Sequence, residues 1–167
     1  LACVMLAQKA RLEGLDVDLM LIGEGDLQPA LEEIARTHEF LKLHSTMEQD
    51  QLAQHLATCH LGLLPMPDRR VWRLASPLKR SEYLASGLAV FGIAHEGHAL
   101  DGVDPAWFTL VPQEDFHIDG LKFIRAQMSD FDKASVQSRV YAAAHLSWEP
   151  SVESFIQKLR DVLQSDS

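Results

Sequence analysis

Ser76-Pro77-Leu78-Lys79-Arg80-Ser81-Glu82-Tyr83-Leu84-Ala85-Ser86-Gly87, running straight into Leu88-Ala89-Val90-Phe91-Gly92-Ile93, is the stretch that decides the fold. Ser76 suits an N-cap, and Pro77 suits the first helical position, where its missing N–H costs nothing. Gly87 supplies the left-handed residue that ends a helix. The passage therefore predicts one short helix feeding a buried strand.

Lys79 and Arg80 fall in the first turn of that helix, where the positive end of the macrodipole disfavours cations. A bound anion would offset the repulsion, because a helix start offers free backbone N–H groups. Glu82, three residues after Lys79, shares roughly its face. The alternative is an ordinary capped helix with a Lys79–Glu82 surface pair, and the residues alone leave both readings open.

The 167 residues, 47% of them apolar, match one domain with a core of its own. Fifteen basic residues against 24 acidic ones give a net charge of −9, which argues against a nucleic-acid surface. Any phosphate must be held locally. Cys3 and Cys59 lie in apolar segments without metal-type spacing, so reduced thiols and a reducing, cytoplasmic compartment are expected. The opening Leu1-Ala2-Cys3-Val4-Met5-Leu6-Ala7 is too short to span a bilayer and has no cleavage pattern. Since the first residue is Leu and helical composition begins at once, the chain reads as a piece of a longer protein.

Residues 1–13 are helical in composition and stop at Gly14, before the apolar run 17–23 of a strand covered on both faces. Glu24-Gly25-Asp26 turns the chain, Asp26 is a candidate cap, and Leu27, Leu31, Ile34 and Ala35 recur at helical spacing. Residues 40–44 read as a second strand. A helix opened by Ser45 or Thr46 follows, with Leu52, Leu56 and Cys59 on one face, then the strand 61–65. Residues 66–75 read as a loop, 88–93 as a strand, 95–105 as irregular and 108–111 as a short strand. Helices near 115–128, 132–145 and 150–163 close the chain. Strands alternating with helices imply an α/β fold: a Rossmann-like, doubly wound parallel sheet of five or six strands with helices on both faces. Ligands bind such sheets outside the carboxyl ends of the strands, here at 23–26, 65–76 and 93–101.

Other signals are weaker. His95-Glu96-Gly97-His98 with Asp101 invites a metal reading, but the spacing is not that of a zinc helix, and solvated loop histidines are the expectation. Cys59-His60 sits at a helix-to-strand junction and reads as structural. No Gly-x-Ser-x-Gly and no phosphate-loop lysine motif is present. Trp72, Trp107 and Trp148 read as packing residues, with Trp72 near enough to the binding edge to be a candidate ligand contact.

Four passages, in order, resemble the carboxyl-terminal, donor-binding domain of retaining glycosyltransferases with the GT-B fold. They are Leu21-Ile22-Gly23-Glu24-Gly25-Asp26, Leu61-Gly62-Leu63-Leu64-Pro65, the stretch from Ser76 to Val90, and Leu146-Ser147-Trp148-Glu149. The likeness spans essentially the whole chain. It implies that a nucleotide-diphosphate sugar is the donor substrate, that no cofactor or metal is required, and that a hexose is transferred with retention. Glu82 would hydrogen-bond the ribose hydroxyls. Ser76, Pro77, Leu78 and Lys79 would face the diphosphate and sugar, with Lys79 a candidate leaving-group stabiliser. Gly23, Leu43 and His44 would lie near the nucleotide, the last two by the base.

The resemblance further implies an acceptor (saccharide, lipid or protein) held by an amino-terminal domain that is not in this chain, together with the first strand of this one. The piece alone is expected to be inactive, with at most weak nucleotide binding, and membrane attachment through the missing half stays open. The family usually carries a second glutamate eight residues before the ribose glutamate, where this chain has Leu74. A non-catalytic binding or regulatory domain derived from the same fold is therefore the alternative. A GT-B sugar epimerase would need an acid and a base that no residues here supply.

Overall fold

The computed structural model describes residues 1–75, 78–100 and 105–165. Five parallel strands alternate with helices: α1 (Ala2–Leu12), β1 (Leu19–Ile22), α2 (Gln28–Thr37), β2 (Leu41–His44), α3 (Gln49–Leu56) and β3 (Leu61–Leu64) come first. α4 (Arg70–Arg73), α5 (Leu78–Ala85), β4 (Ala89–Ile93), β5 (Phe108–Val111), α6 (Phe116–Gln127), α7 (Phe131–His145) and α8 (Trp148–Ser165) complete the order. The protein is an α/β, Rossmann-like domain.

The ladder is shorter than the sequence implies. β1 pairs with β2, and β3, β4 and β5 form a separate three-stranded ladder, so among the described residues no sheet reaches five or six strands. All pairings are parallel. What joins the halves is side-chain packing. Cys3 and Leu63 touch both the large core around β4 and the smaller one around Val4, Leu19, Phe40 and Leu41. Burial pushes the Cys3 thiol up to about 11, and Cys59 is raised for the same reason. Both cysteines are free.

Every residue of β4 is buried, as expected for a central strand covered on both faces. Paired residues of parallel strands share a face, so Gly62 and Val90 point one way and Phe91 the other. Tyr83 of α5 packs onto Gly62, where a Cβ would stand 2.9 Å from the tyrosine Cβ and closer still to its ring. Phe91 meets Phe116 and Phe123, with ring centroids 5.2 and 5.3 Å away. α5 and α6 therefore cover opposite faces.

The end of α5 forms as its sequence dictates. Gly87 adopts φ +86°, Leu88 N–H donates to Tyr83 O at 2.9 Å, and Gly87 N–H donates to Leu84 O at 3.0 Å. This Schellman arrangement satisfies the last carbonyls and turns the chain into β4. Arg139 of α7 donates to Ser86 O at 3.3 Å, a cation at the negative end of the helix.

Four local expectations fail, the first being the helix opened by Ser45 or Thr46: α3 begins at Gln49, with Glu48 in the N-cap position. Asp26 does not cap α2; Leu27 holds the N-cap position, and the helix start is set by Pro29 in its first turn and by Gln28 N–H donating to Gly25 O at 2.9 Å. The loop 66–75 contains α4, a single turn closed by Asp68, whose carboxylate accepts from Arg73 Nε at 2.5 Å and Nη2 at 2.8 Å. Trp148 is not a packing residue: it is 80% exposed at the start of α8, unlike buried Trp107. Ser76, the proposed cap, and Pro77, the proposed first helical residue, lie outside the described residues.

Candidate functional site

The carboxyl ends of β1 and β2 enclose a cavity of about 330 Å³ lined by Gly23, Leu43 and His44, three of the residues proposed from the sequence. Gly23 adopts φ +128°, which lets the chain leave β1 sharply and keeps that wall free of a side chain. Leu21, Leu31 and Leu43 give the cavity an apolar floor, and Glu24 and Glu32 bring carboxylates to it. Thr46 Oγ1 donates to Glu24 Oε1 at 3.3 Å, tying the loop after β1 to the loop after β2. His55 of α3 backs His44, with ring centroids 4.7 Å apart. Among the described residues, no Lys or Arg lines this cavity. Such a lining suits an uncharged group with hydrogen-bond donors and disfavours phosphate.

The remaining proposed residues sit elsewhere. Leu78 is 70% exposed and Lys79 is exposed, in the first turn of α5. Glu82, partly buried, lines a second hollow of about 500 Å³ between α5 and the end of α7, with Ala85, Arg139, Ala142 and Leu146. Glu82 and the Gly23–Leu43–His44 group thus line different hollows. The surface-pair alternative also fails, since Lys79 and Glu82 are not among the ion pairs of the described residues, although Lys122 and Asp119 make such an i,i+3 pair at 2.6 Å. Leu74 ends α4 and is 75% exposed.

The histidines after β4 are not the solvated loop residues expected. His98 is 1% exposed, its Nδ1 lies 2.7 Å from Ile93 O, and its ring stacks on His95 with centroids 3.7 Å apart. A carbonyl only accepts, so Nδ1 carries the proton and Nε2 the bare lone pair. Nε2 of His98 and both ring nitrogens of His95 are buried without a hydrogen-bond partner. The reason for their burial is the turn's contact with two helices: Gly97 lies against Trp72 O and Ala75 O, and Arg80 donates to Ala99 O. Asp101 lies outside the described residues. Among those described, no cluster of three metal-type ligands occurs.

Burial lowers the His98 pKa below its usual value, His95 and Arg80 adding to the effect against the Ile93 hydrogen bond. A histidine whose folded pKa is depressed stabilises the fold above its unfolded value, about 6.5, and that stability is lost as pH falls from there toward the folded value. The melting temperature is therefore expected to drop between pH 7.5 and 5.5. His98→Gln should be less stable at pH 7.5 and show a shallower drop; an equally steep one would place the effect in other groups.

Sequence reasoning missed Glu32 and Arg139 as lining residues. Both sit on helices with ordinary surface spacing, and Arg139 reaches Ser86 across 53 positions, so no local signal marks them. No family model and no curated protein matches the chain. Among solved structures, the fold is similar to the pneumococcal O-GlcNAc transferase GtfA in complex with UDP and GlcNAc, at TM-score 0.65 and 17% identity. That likeness covers 97% of this chain and 33% of the other, so the chain spans about a third of that protein and shares its fold over that third.

Proposed function

We propose that the chain is the donor-binding half of a glycosyltransferase of the GT-B kind, which takes a nucleotide-diphosphate sugar and passes its hexose to an acceptor with retention. The observation that carries this reading is the cavity at the carboxyl ends of β1 and β2, lined by Gly23, Leu43 and His44, in a domain with the fold of a transferase solved with UDP and GlcNAc. Its volume lies at the lower end of ligand pockets and its described lining is free of cations, which suits the base of the nucleotide rather than its diphosphate. The charge developing on the diphosphate leaving group falls to Lys79 and to backbone N–H groups at the start of α5, with no metal required. Glu82 would accept from the ribose hydroxyls. The acceptor belongs to an amino-terminal domain, so this chain by itself is expected to bind nucleotide weakly and to turn nothing over.

Leu74 favours a second reading, a binding or regulatory domain of the same fold without catalysis, because a leucine stands where the family carries a carboxylate. Titrating UDP, GDP and their sugars into the full-length protein and its Glu82→Ala variant tests both. Hydrogen bonds to a charged group contribute about 1.5–3 kcal/mol, so the variant is expected to bind roughly tenfold or more weakly. Equal affinity for the variant removes the assignment of Glu82, and no binding by wild type removes the donor reading. Binding without sugar transfer supports the regulatory one.

A further inference from the structure

The segment 68–80 differs in charge from the rest of the protein. It holds Arg69, Arg70, Arg73, Lys79 and Arg80, a third of the fifteen basic residues, against one of the 24 acidic ones, in a chain of net charge −9. Its apolar side chains are turned outward: Val71 is 64% exposed, Trp72 40%, Leu74 75% and Leu78 70%. Arg73 is tied to Asp68 and Arg80 to Ala99 O, while Arg69, Arg70 and Lys79 enter no ion pair among the described residues. Both helices abut one turn, since Trp72 O of α4 lies against Gly97 and Arg80 of α5 reaches Ala99.

From this we propose that the surface of α4, with Arg69, Arg70, Val71, Trp72 and Leu74, docks on an anionic lipid bilayer, leaving Lys79 and the start of α5 to the diphosphate. Tryptophan with leucine and valine beside Arg69 and Arg70 is the composition that settles at the headgroup level, where the ring and aliphatic chains enter the interface and the cations meet lipid phosphates. Charge complementarity selects the occupant. A phospholipid surface of negative potential attracts this patch and repels the acidic remainder, which fixes one orientation. No helix among the described residues is long and apolar enough to cross a membrane, so the contact is superficial. α8 also exposes Trp148, Phe155 and Leu159, but its Lys158 and Arg160 are outnumbered by Glu149, Glu153 and Asp161, so it lacks that charge bias.

Sedimentation with vesicles tests the proposal independently of any nucleotide. The protein should pellet with vesicles of equimolar phosphatidylcholine and phosphatidylglycerol, remain in solution with phosphatidylcholine alone, and be released by high salt. Each cation near an anionic surface contributes about 1 kcal/mol, or about fivefold, so Arg69→Gln with Arg70→Gln should lower partitioning roughly 25-fold. Trp72→Ala should lower it further, and Phe155→Ser with Leu159→Ser on α8 should leave it unchanged. All of these side chains are solvent-facing, so an unaltered melting curve certifies each variant. Failure to bind anionic vesicles, equal binding to neutral ones, undiminished binding by the double arginine variant, or loss in the α8 variant alone would each overturn it.

Discussion

Phe91→Ala is expected to lower the free energy of unfolding by about 3–5 kcal/mol, a large share of the 5–15 kcal/mol that holds a typical domain together. Phe91 is 1% exposed at the middle of β4, a strand that is buried throughout. Its ring meets Phe116 and Phe123 at 5.2 and 5.3 Å, and α6 comes this close because Gly120 has no side chain: a Cβ there would stand 2.9 Å from Leu6 and 3.1 Å from Phe91. Truncation removes the transfer free energy of the ring, two aromatic contacts worth about 0.5–1.5 kcal/mol each, and leaves a cavity that β4, paired on both sides, cannot close. Urea titration should show a lower midpoint with an unchanged slope. A loss below about 1 kcal/mol would mean that α6 collapses onto the vacated space.

Gly62→Val acts on the opposite face of the same sheet and is expected to cost about 1–3 kcal/mol, with Gly62→Ala already taking most of it. The first added carbon meets the Tyr83 ring and stands 2.9 Å from its Cβ. Tyr83 has little room to yield. Burial pushes its hydroxyl up to about 12, and its carbonyl is held by Leu88 N–H in the helix-ending turn. The whole of α5 must then shift, carrying Glu82 with it. For a chain of this length each kcal/mol lowers the melting temperature by about 2–4 °C, which scanning calorimetry resolves. Gly62→Ala within about 0.5 kcal/mol of wild type would show that α5 slides freely. If Glu82 contacts the nucleotide, affinity should fall together with stability.

The parts of the fold that were legible in the sequence rest on local chemistry. Gly87 ends α5 because only a residue tolerant of positive φ fits there, and an unbroken apolar run from Leu88 to Ile93 has nowhere to go but a strand covered on both faces. The turn at Gly23 could be assigned to the ligand edge because parallel strands deliver their carboxyl ends to one edge, whereas Leu43 and His44 were implied only by the family resemblance. What was not legible depends on contacts between distant segments. His95 and His98 read as loop residues until α4 and α5 close over their turn. Arg139 looks like any helix-surface arginine until Ser86 O is found beside it. The interruption between β1 and β3 cannot be read from either strand alone, because strand order is a property of the whole sheet.

Buried apolar surface is shared unequally between the two ladders. Among the described residues, five buried apolar side chains support β1 and β2, against seventeen around β3, β4 and β5. The cavity of Gly23, Leu43 and His44 belongs entirely to the smaller group. A ligand seated there touches the ends of both strands, so its binding adds to the contacts that hold β1 against β2 and stabilises the folded chain by mass action.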